Sequence, residues 1–296
     1  MVYDRRGHSQ SERPPGHGSR TEDEEDPAAL LETLDLSPAH VAGNSFGAST
    51  VLGLAARRPE LFRSSAAHET PLTGLVAGDP ELEPLMRAKR EKIGSVRAHL
   101  RAGETLAGAR QFVEEVALGP GTWDQLPDRL RETFLTNAPT FLDEQADPGW
   151  SLIDLTRLSG YTGPVLLTKS TETPPWFATI SSPLAQALSQ ARVRTLEGSG
   201  HIPHTTHPTE YVRSLTGFIE AIEAIEAIEA GVRRAGGLSD QHARSAPLRR
   251  IALSEPGPRS RSADSRAPGG SAGGSWSNGD SRNDAFQDRE PAPEPT

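Results

Sequence analysis

The sequence predicts an α/β protein built on a mostly parallel sheet, and three observations carry that prediction. Short apolar runs are followed by a sharp turn and then a helical stretch at three places, around residues 40–57, 164–189 and 193–228. Between Pro71 and Gly163 amphipathic helical stretches follow one another with no clear strand, which predicts a helical cap laid over the sheet. Large apolar residues become scarce after residue 230, which predicts that the folded body ends there.

The elements follow in order. Val2-Tyr3-Asp4 reads as the tail of a strand. Ser9–Asp26, with Pro14-Pro15, several glycines and the acidic run Glu22–Asp26, reads as a surface loop. It leads into a helix near Pro27–Leu34, because proline in the first turn and acids just before it suit a helix N-terminus. A strand ends at Ala42, and a helix covers Gly47–Arg57, closed by Arg57, Arg58 and Pro59. Arg63–Ala67 is a further strand that ends in His68-Glu69-Thr70-Pro71. Cap helices are predicted near Glu81–His99, Ala107–Ala117 and Asp128–Thr136, and Asp143 and Glu144 read as a helix start.

Pro164–Thr168 is a buried strand, and a turn holding Pro174 and Pro175 precedes a helix near Phe177–Ser189. Val193–Leu196 is the last strand, and after Gly198-Ser-Gly-His201 a helix runs from about Pro208 to Ile228. Within it Ile219–Ala230 repeats Glu-Ala-Ile with a period of three. Three residues fall short of a full turn, so the isoleucines drift by roughly 60° per repeat and the helix must extend past the packed body. The predicted organisation is a core over 1–72, a cap over 73–163, the rest of the core over 164–230 and a disordered tail over 231–296.

Composition removes several classes of function. The chain has 296 residues, of which 34% are hydrophobic and 5% aromatic. No run of about 18 apolar residues exists, so no membrane partner or membrane-spanning helix is expected. There is no cysteine, which excludes disulfides and thiolate metal sites. The net charge of −9 argues against a nucleic-acid partner. A soluble protein remains, and it is expected in the cytoplasm.

The turn residues carry the chemistry. Gly43-x-Ser45-x-Gly47 between a strand and a helix has the spacing of a nucleophile elbow. The serine needs a strained turn to lift its hydroxyl clear of the backbone. Gly43 and Gly47 are expected to remove side chains that would collide with strand and helix. The helix N-terminus adds positive potential, and the amide of Phe46 is one oxyanion donor. Serine at its free pKa needs a base, and His201 stands on a loop just after a strand, with His204 and His207 as rivals. Those three histidines are spaced by three residues, but a proline and loop residues intervene, so no metal site is expected.

Together Val2-Tyr-Asp-Arg-Arg-Gly-His-Ser-Gln-Ser11, Gly43-Asn-Ser-Phe-Gly47, His68-Glu-Thr-Pro-Leu72, Pro164-Val-Leu-Leu-Thr168 and Gly198-Ser-Gly-His201 resemble the α/β-hydrolase superfamily over roughly Val2 to Ile228. The resemblance implies a capped, serine-nucleophile hydrolase without cofactor. Ser45 would be the nucleophile and His201 the general base, cleaving a small ester or related acyl compound through an acyl-serine. A serine at the elbow speaks against haloalkane or epoxide chemistry. Carbon–carbon bond hydrolysis and perhydrolysis use the same triad and stay open. The apolar stretches of the cap imply a largely apolar substrate.

Family members usually place the triad acid after the strand that is here Pro164–Thr168. That loop reads Lys169-Ser-Thr-Glu-Thr-Pro-Pro175, where the usual position falls near Thr171 or Thr173, and Glu172 is out of register. Others place the acid after the preceding strand, where this chain has Glu69. The order Ser45, Glu69, His201 matches the family, so Glu69 is preferred and Glu172 is the alternative acid.

The resemblance further implies about three strands before the one ending at Asp4, and a loop with a second oxyanion donor. Nothing before Val2 supplies them, and His8 and Gly16-His17-Gly18 follow the wrong strand. The expectation is an N-terminally truncated chain or a gene start set too late. A catalytically impaired fragment or a non-catalytic binding protein lacking the oxyanion loop is therefore the competing function.

Overall fold

The computed structural model describes residues 1–14 and 18–244, with side chains described to residue 233. Four strands form one parallel sheet in the order β1-β2-β3-β4: β1 (Ala39–Asn44), β2 (Phe62–His68), β3 (Val165–Ser170) and β4 (Ala191–Leu196). Successive pairing registers Asn44 beside His68, and His68 beside Thr168. The C-terminal ends of β1, β2 and β3 therefore lie side by side, and the loops that leave them open on one rim, where ligands bind in open α/β sheets.

Helix α1 (Arg20–Thr33) starts seven residues before the predicted Pro27. The reason is a capping box: the Ser19 side chain accepts from the Glu22 amide, and the Glu22 carboxylate accepts from the Ser19 amide. The acidic run therefore lies inside the helix and Pro27 in its middle. Before it, residues 5–14 form turns tied to the helical layer by Arg5 on Glu144 and by Arg13 on Thr140. Val2–Asp4 is not a strand in this structure: among the described residues it pairs with no neighbour, and Val2 is almost fully exposed.

Helix α2 (Phe46–Arg57) packs its apolar face on the sheet. Ala48, Leu52, Leu54 and Ala55 are buried there with Val165, Leu167 and Leu158. The helical layer comprises α3 (Glu83–Arg101), α4 (Thr105–Gln111), α5 (Thr122–Gln125) and α6 (Asp128–Glu144). Its own apolar cluster is built on Ala109, Val113, Trp123, Leu126 and Ala138. Residues Phe112–Ala117 form a π-helical turn that continues α4. Because α6 continues to Glu144, Asp143 and Glu144 lie at a helix end, not at the predicted start.

The chain returns through α7 (Leu155–Ser159) to β3, then α8 (Trp176–Ala187) and β4. A short helix α9 (Pro203–Thr206) leads into α10 (Pro208–Arg244). Phe218 and Ile222 of α10 close the other face of the sheet against Ala66 and Leu166. Beyond them Ile225, Ile228 and Val232 are exposed, as a drifting three-residue period requires. Helix α10 runs past the predicted start of a disordered tail at residue 231, because Glu, Ala and Arg keep helical propensity to that point. The rest of the predicted tail, residues 245–296, lies outside the described residues. Exposed Val193 on β4 is flanked by Arg192 and Arg194, charges that protect a sheet edge from pairing with other chains.

Candidate active site

The turn after β1 is strained where the sequence predicts it. Ser45 has φ 54° and ψ −121°, a conformation that L-residues rarely adopt. Its amide donates to the His68 carbonyl at 2.9 Å, which anchors the turn to the end of β2. Gly43 is required: a Cβ there would lie 2.3 Å from the Gly47 carbonyl oxygen. Gly47 differs from expectation, because a Cβ there would meet nothing within 4 Å. The crowding is between the end of β1 and the first turn of α2, so a side chain on Gly43 alone would collide. Phe46 opens α2, where the first amides lie ahead of the helical hydrogen-bond ladder; the Ala48 amide is the first to donate back, to the Ser45 carbonyl at 3.0 Å.

His201 and Glu69 come together from opposite ends of the sequence. His201 Nδ1 lies 2.8 Å from Glu69 Oε2, with both side chains almost fully buried. The same carboxylate accepts the Ser170 amide and the Thr173 hydroxyl on Oε1, each at 2.8 Å. Glu69 itself has φ 46°, a second strained residue on the same rim. Burial pushes its carboxyl up, but the hydrogen bond from His201, the His201 and His68 rings and the Ser170 amide outweigh this and hold it below the usual glutamate range. The Glu172 side chain is exposed, and among the described residues it has no hydrogen bond to His201; its amide donates to the Ser199 carbonyl.

The His201 ring is held on two sides, by Glu69 and by Phe177, which stacks on it with ring centres 4.5 Å apart; the Asn44 side chain donates to the backbone carbonyl of His201 at 2.9 Å. Ser45, Phe46 and His201 face one cavity of about 90 Å³, together with Phe112, Trp150, Trp176 and Lys89. Ser45 also faces a larger cleft of about 650 Å³ along β1, α1 and Met1–Tyr3. Among the described residues, no hydrogen bond joins the Ser45 hydroxyl to His201.

The rival histidines stand apart. His207 is exposed, with Nδ1 3.0 Å from the Thr206 hydroxyl. His204 packs near Tyr211, and burial lowers its pKa.

His68 is the residue that sequence reasoning passed over. It is buried beneath the site, with Nδ1 2.9 Å from the Thr168 hydroxyl and Nε2 3.6 Å from Glu69 Oε2. Burial depresses its pKa to about 4, with Glu69 opposing and His201 and His204 adding to the shift. His68 is thus neutral near pH 7. Its signal was the strand-end pair His68-Glu69, of which only the glutamate has an obvious chemical use. His68, Glu69 and His201 each offer a ligand atom within 4.8 Å of the others, so this trio, rather than His201, His204 and His207, is the place that could hold a metal. A metal there would compete with His201 for the carboxylate oxygen that its ring already holds.

Comparison with known proteins agrees with this architecture. The model of the alpha/beta hydrolase family matches residues 1–214. Among curated proteins none matches. Solved structures similar to this chain include MGS-M2, an alpha/beta hydrolase enzyme from a Medee basin deep-sea metagenome library. It is 19% identical, covers 74% of this chain and 78% of that one, and has a TM-score of 0.59. The enol-lactonase from Burkholderia xenovorans is 22% identical over 74% of this chain and 79% of its own, with a TM-score of 0.58. An alpha/beta hydrolase from Sphaerobacter thermophilus is 25% identical over 73% and 80%, with a TM-score of 0.57.

Proposed function

The chain belongs to the alpha/beta hydrolase family, and on that premise we propose that it cleaves a small ester or related acyl compound through an acyl-serine on Ser45. The observation that carries the reading is the buried 2.8 Å contact between His201 Nδ1 and Glu69, on the rim of the cavity that Ser45 lines. With Nδ1–H donated to the carboxylate, Nε2 is the basic atom left for the serine.

The steps balance without a cofactor. Ser45 Oγ attacks the carbonyl carbon while His201 Nε2 takes the hydroxyl proton. The Phe46 amide donates to the developing oxyanion, aided by the α2 N-terminus. The tetrahedral adduct collapses, the C–O bond to the alcohol breaks, and the alcohol leaves with the proton from His201. Water then attacks the acyl-serine, His201 takes its proton, and the acid departs as Ser45 recovers its hydrogen. Glu69 keeps one ring tautomer and stabilises the imidazolium that forms twice. Thr173, near the position where the family usually carries its acid, instead supports the acid from a neighbouring loop.

Other features fit the same reading. Among the described residues no helix is long and apolar enough to cross a membrane, and the proposed setting is the cytoplasm. The enol-lactonase likeness, at 22% identity, supports the fold, so the chemistry rests on the site.

The test is labelling of the full chain with a fluorophosphonate, read by intact mass. One adduct on the wild type and none on Ser45→Ala is the expected result. No adduct, or one that persists in Ser45→Ala, overturns the reading. A second reading, a binding protein without turnover, is favoured by the missing hydrogen bond between Ser45 and His201, and the same experiment decides between them.

A further inference from the structure

Lys89 of α3 faces the Ser45 cavity and has no task in the acyl transfer described above. It stands on the buried face of its helix with Met86, Ile93 and Val96. Its ammonium lies 3.5 Å from the centre of the Trp176 ring and 5.9 Å from that of Trp150. The residue is 9% exposed, and its Nζ has no hydrogen-bond partner among the described residues.

The other titratable groups on this cavity are already committed. Glu144 of α6 is held by Arg5, with His8 Nε2 3.7 Å away. His201 is held by Glu69. Lys89 therefore has aromatic faces beside it and, among the described residues, no counter-ion. A cation–π contact offsets only about 0.5–2 kcal/mol, less than the several kcal/mol that burying a lone ammonium costs. Burial alone lowers its pKa to about 7, and no neighbouring carboxylate pulls it back up. Such an unsatisfied cation, aimed into a cavity beside a nucleophile, is a place for a substrate anion.

We propose that Lys89 determines the specificity of the Ser45 cavity, and that the substrates are small esters carrying a second, ionised carboxylate. The proposal rests on the reading of Ser45 as nucleophile. A carboxylate fits better than a phosphate, because the cavity is small, its walls are largely aromatic and aliphatic, and it offers a single positive charge. The expectation of a largely apolar substrate then holds for the body of the molecule but not for its far end.

The experiment compares monomethyl succinate with methyl pentanoate, in which an ethyl group replaces the carboxylate. The wild type is expected to favour monomethyl succinate in kcat/KM by about tenfold to a hundredfold, the range of a charge-assisted contact in a desolvated site. Lys89→Met should lose that preference through KM, and Lys89→Arg should restore most of it. The preference should fall as pH rises past about 7, where the ammonium loses its proton, and should stay constant in Lys89→Arg. His201 serves both esters alike, so its contribution cancels in the ratio, and Glu144 is paired with Arg5. A wild type without preference, or a preference unchanged in Lys89→Met, overturns the proposal.

A binding arm separates this outcome from failure of the hydrolase reading. Succinate is titrated into Ser45→Ala and into the double variant with Lys89→Met, with fluorescence of Trp150 and Trp176 as the signal. Saturable change in the first and none in the second supports the anion site even if neither ester is turned over. No change in either protein overturns it.

Discussion

Two charged side chains are buried around Ser45, and the fold treats them oppositely. Glu69 is surrounded by donors: an imidazole, a backbone amide and a hydroxyl, all at 2.8 Å. Lys89 has two indole faces and, among the described residues, no acceptor. A satisfied buried charge supports the native state, whereas an unsatisfied one works against it. The difference teaches which group serves the protein's own architecture and which is left open to something from outside.

Substitutions at the two sites should move stability in opposite directions. Glu69→Ala strands the His201 ring and the Ser170 amide and leaves the Thr173 hydroxyl only the Ser170 carbonyl, and is expected to cost about 2–4 kcal/mol in urea unfolding. Lys89→Met removes an unpaired ammonium and keeps its stem, and should raise stability by about 1–3 kcal/mol, seen as a Tm higher by about 2–4 °C per kcal/mol. A loss of stability in Lys89→Met would break the comparison.

The pH dependence carries a sign of its own. The folded Lys89 pKa lies near 7, below the unfolded value of about 10.4. Between those values the unfolded chain binds more protons, so Lys89 makes stability rise with pH. Thermal unfolding of Lys89→Met from pH 7 to 10 should lack that rise. Glu69 behaves in the reverse way: its depressed pKa contributes stability that is present above the ordinary glutamate range and is lost as pH falls through the folded value.

The smallest expected effect is at Thr173. Thr173→Val deletes one of three bonds to Glu69 and should cost about 1 kcal/mol. It should also move the acid limb of the rate profile upward, because a carboxylate with fewer donors is easier to protonate.

What the sequence disclosed follows from locality. The elbow is legible because its chemistry lies within five consecutive residues, where Gly43 must be small and Ser45 must be strained. The strands β1 to β4 are legible because each is a short run bounded by turn residues. Glu69 was preferred over Glu172 from chain order, but its bonds to Ser170 and Thr173 span about a hundred residues and no spacing reveals them. The start of α1 is harder to read, because Pro27 is the stronger local signal for a helix N-terminus, although Ser19 and Glu22 form the capping box.

Lys89 did leave a trace. It occupies a position three after Met86 and four before Ile93, where the helical period calls for an apolar residue. Arg87, Arg90 and Lys92 around it conceal the exception in a generally basic stretch. Its two tryptophans come from distant parts of the chain, so the absence of a counter-ion is visible only in three dimensions.

The proposed mechanism requires that Glu69, rather than Glu172, orients the base for Ser45. It is tested most directly by steady-state ester hydrolysis in Glu69→Gln and Glu172→Gln, each checked for folding by circular dichroism. The expected result is a kcat lower by about 10²–10⁴-fold in Glu69→Gln, which favours the wrong imidazole tautomer, and a wild-type kcat in Glu172→Gln. The reverse pattern, or an equal loss in both, would contradict it.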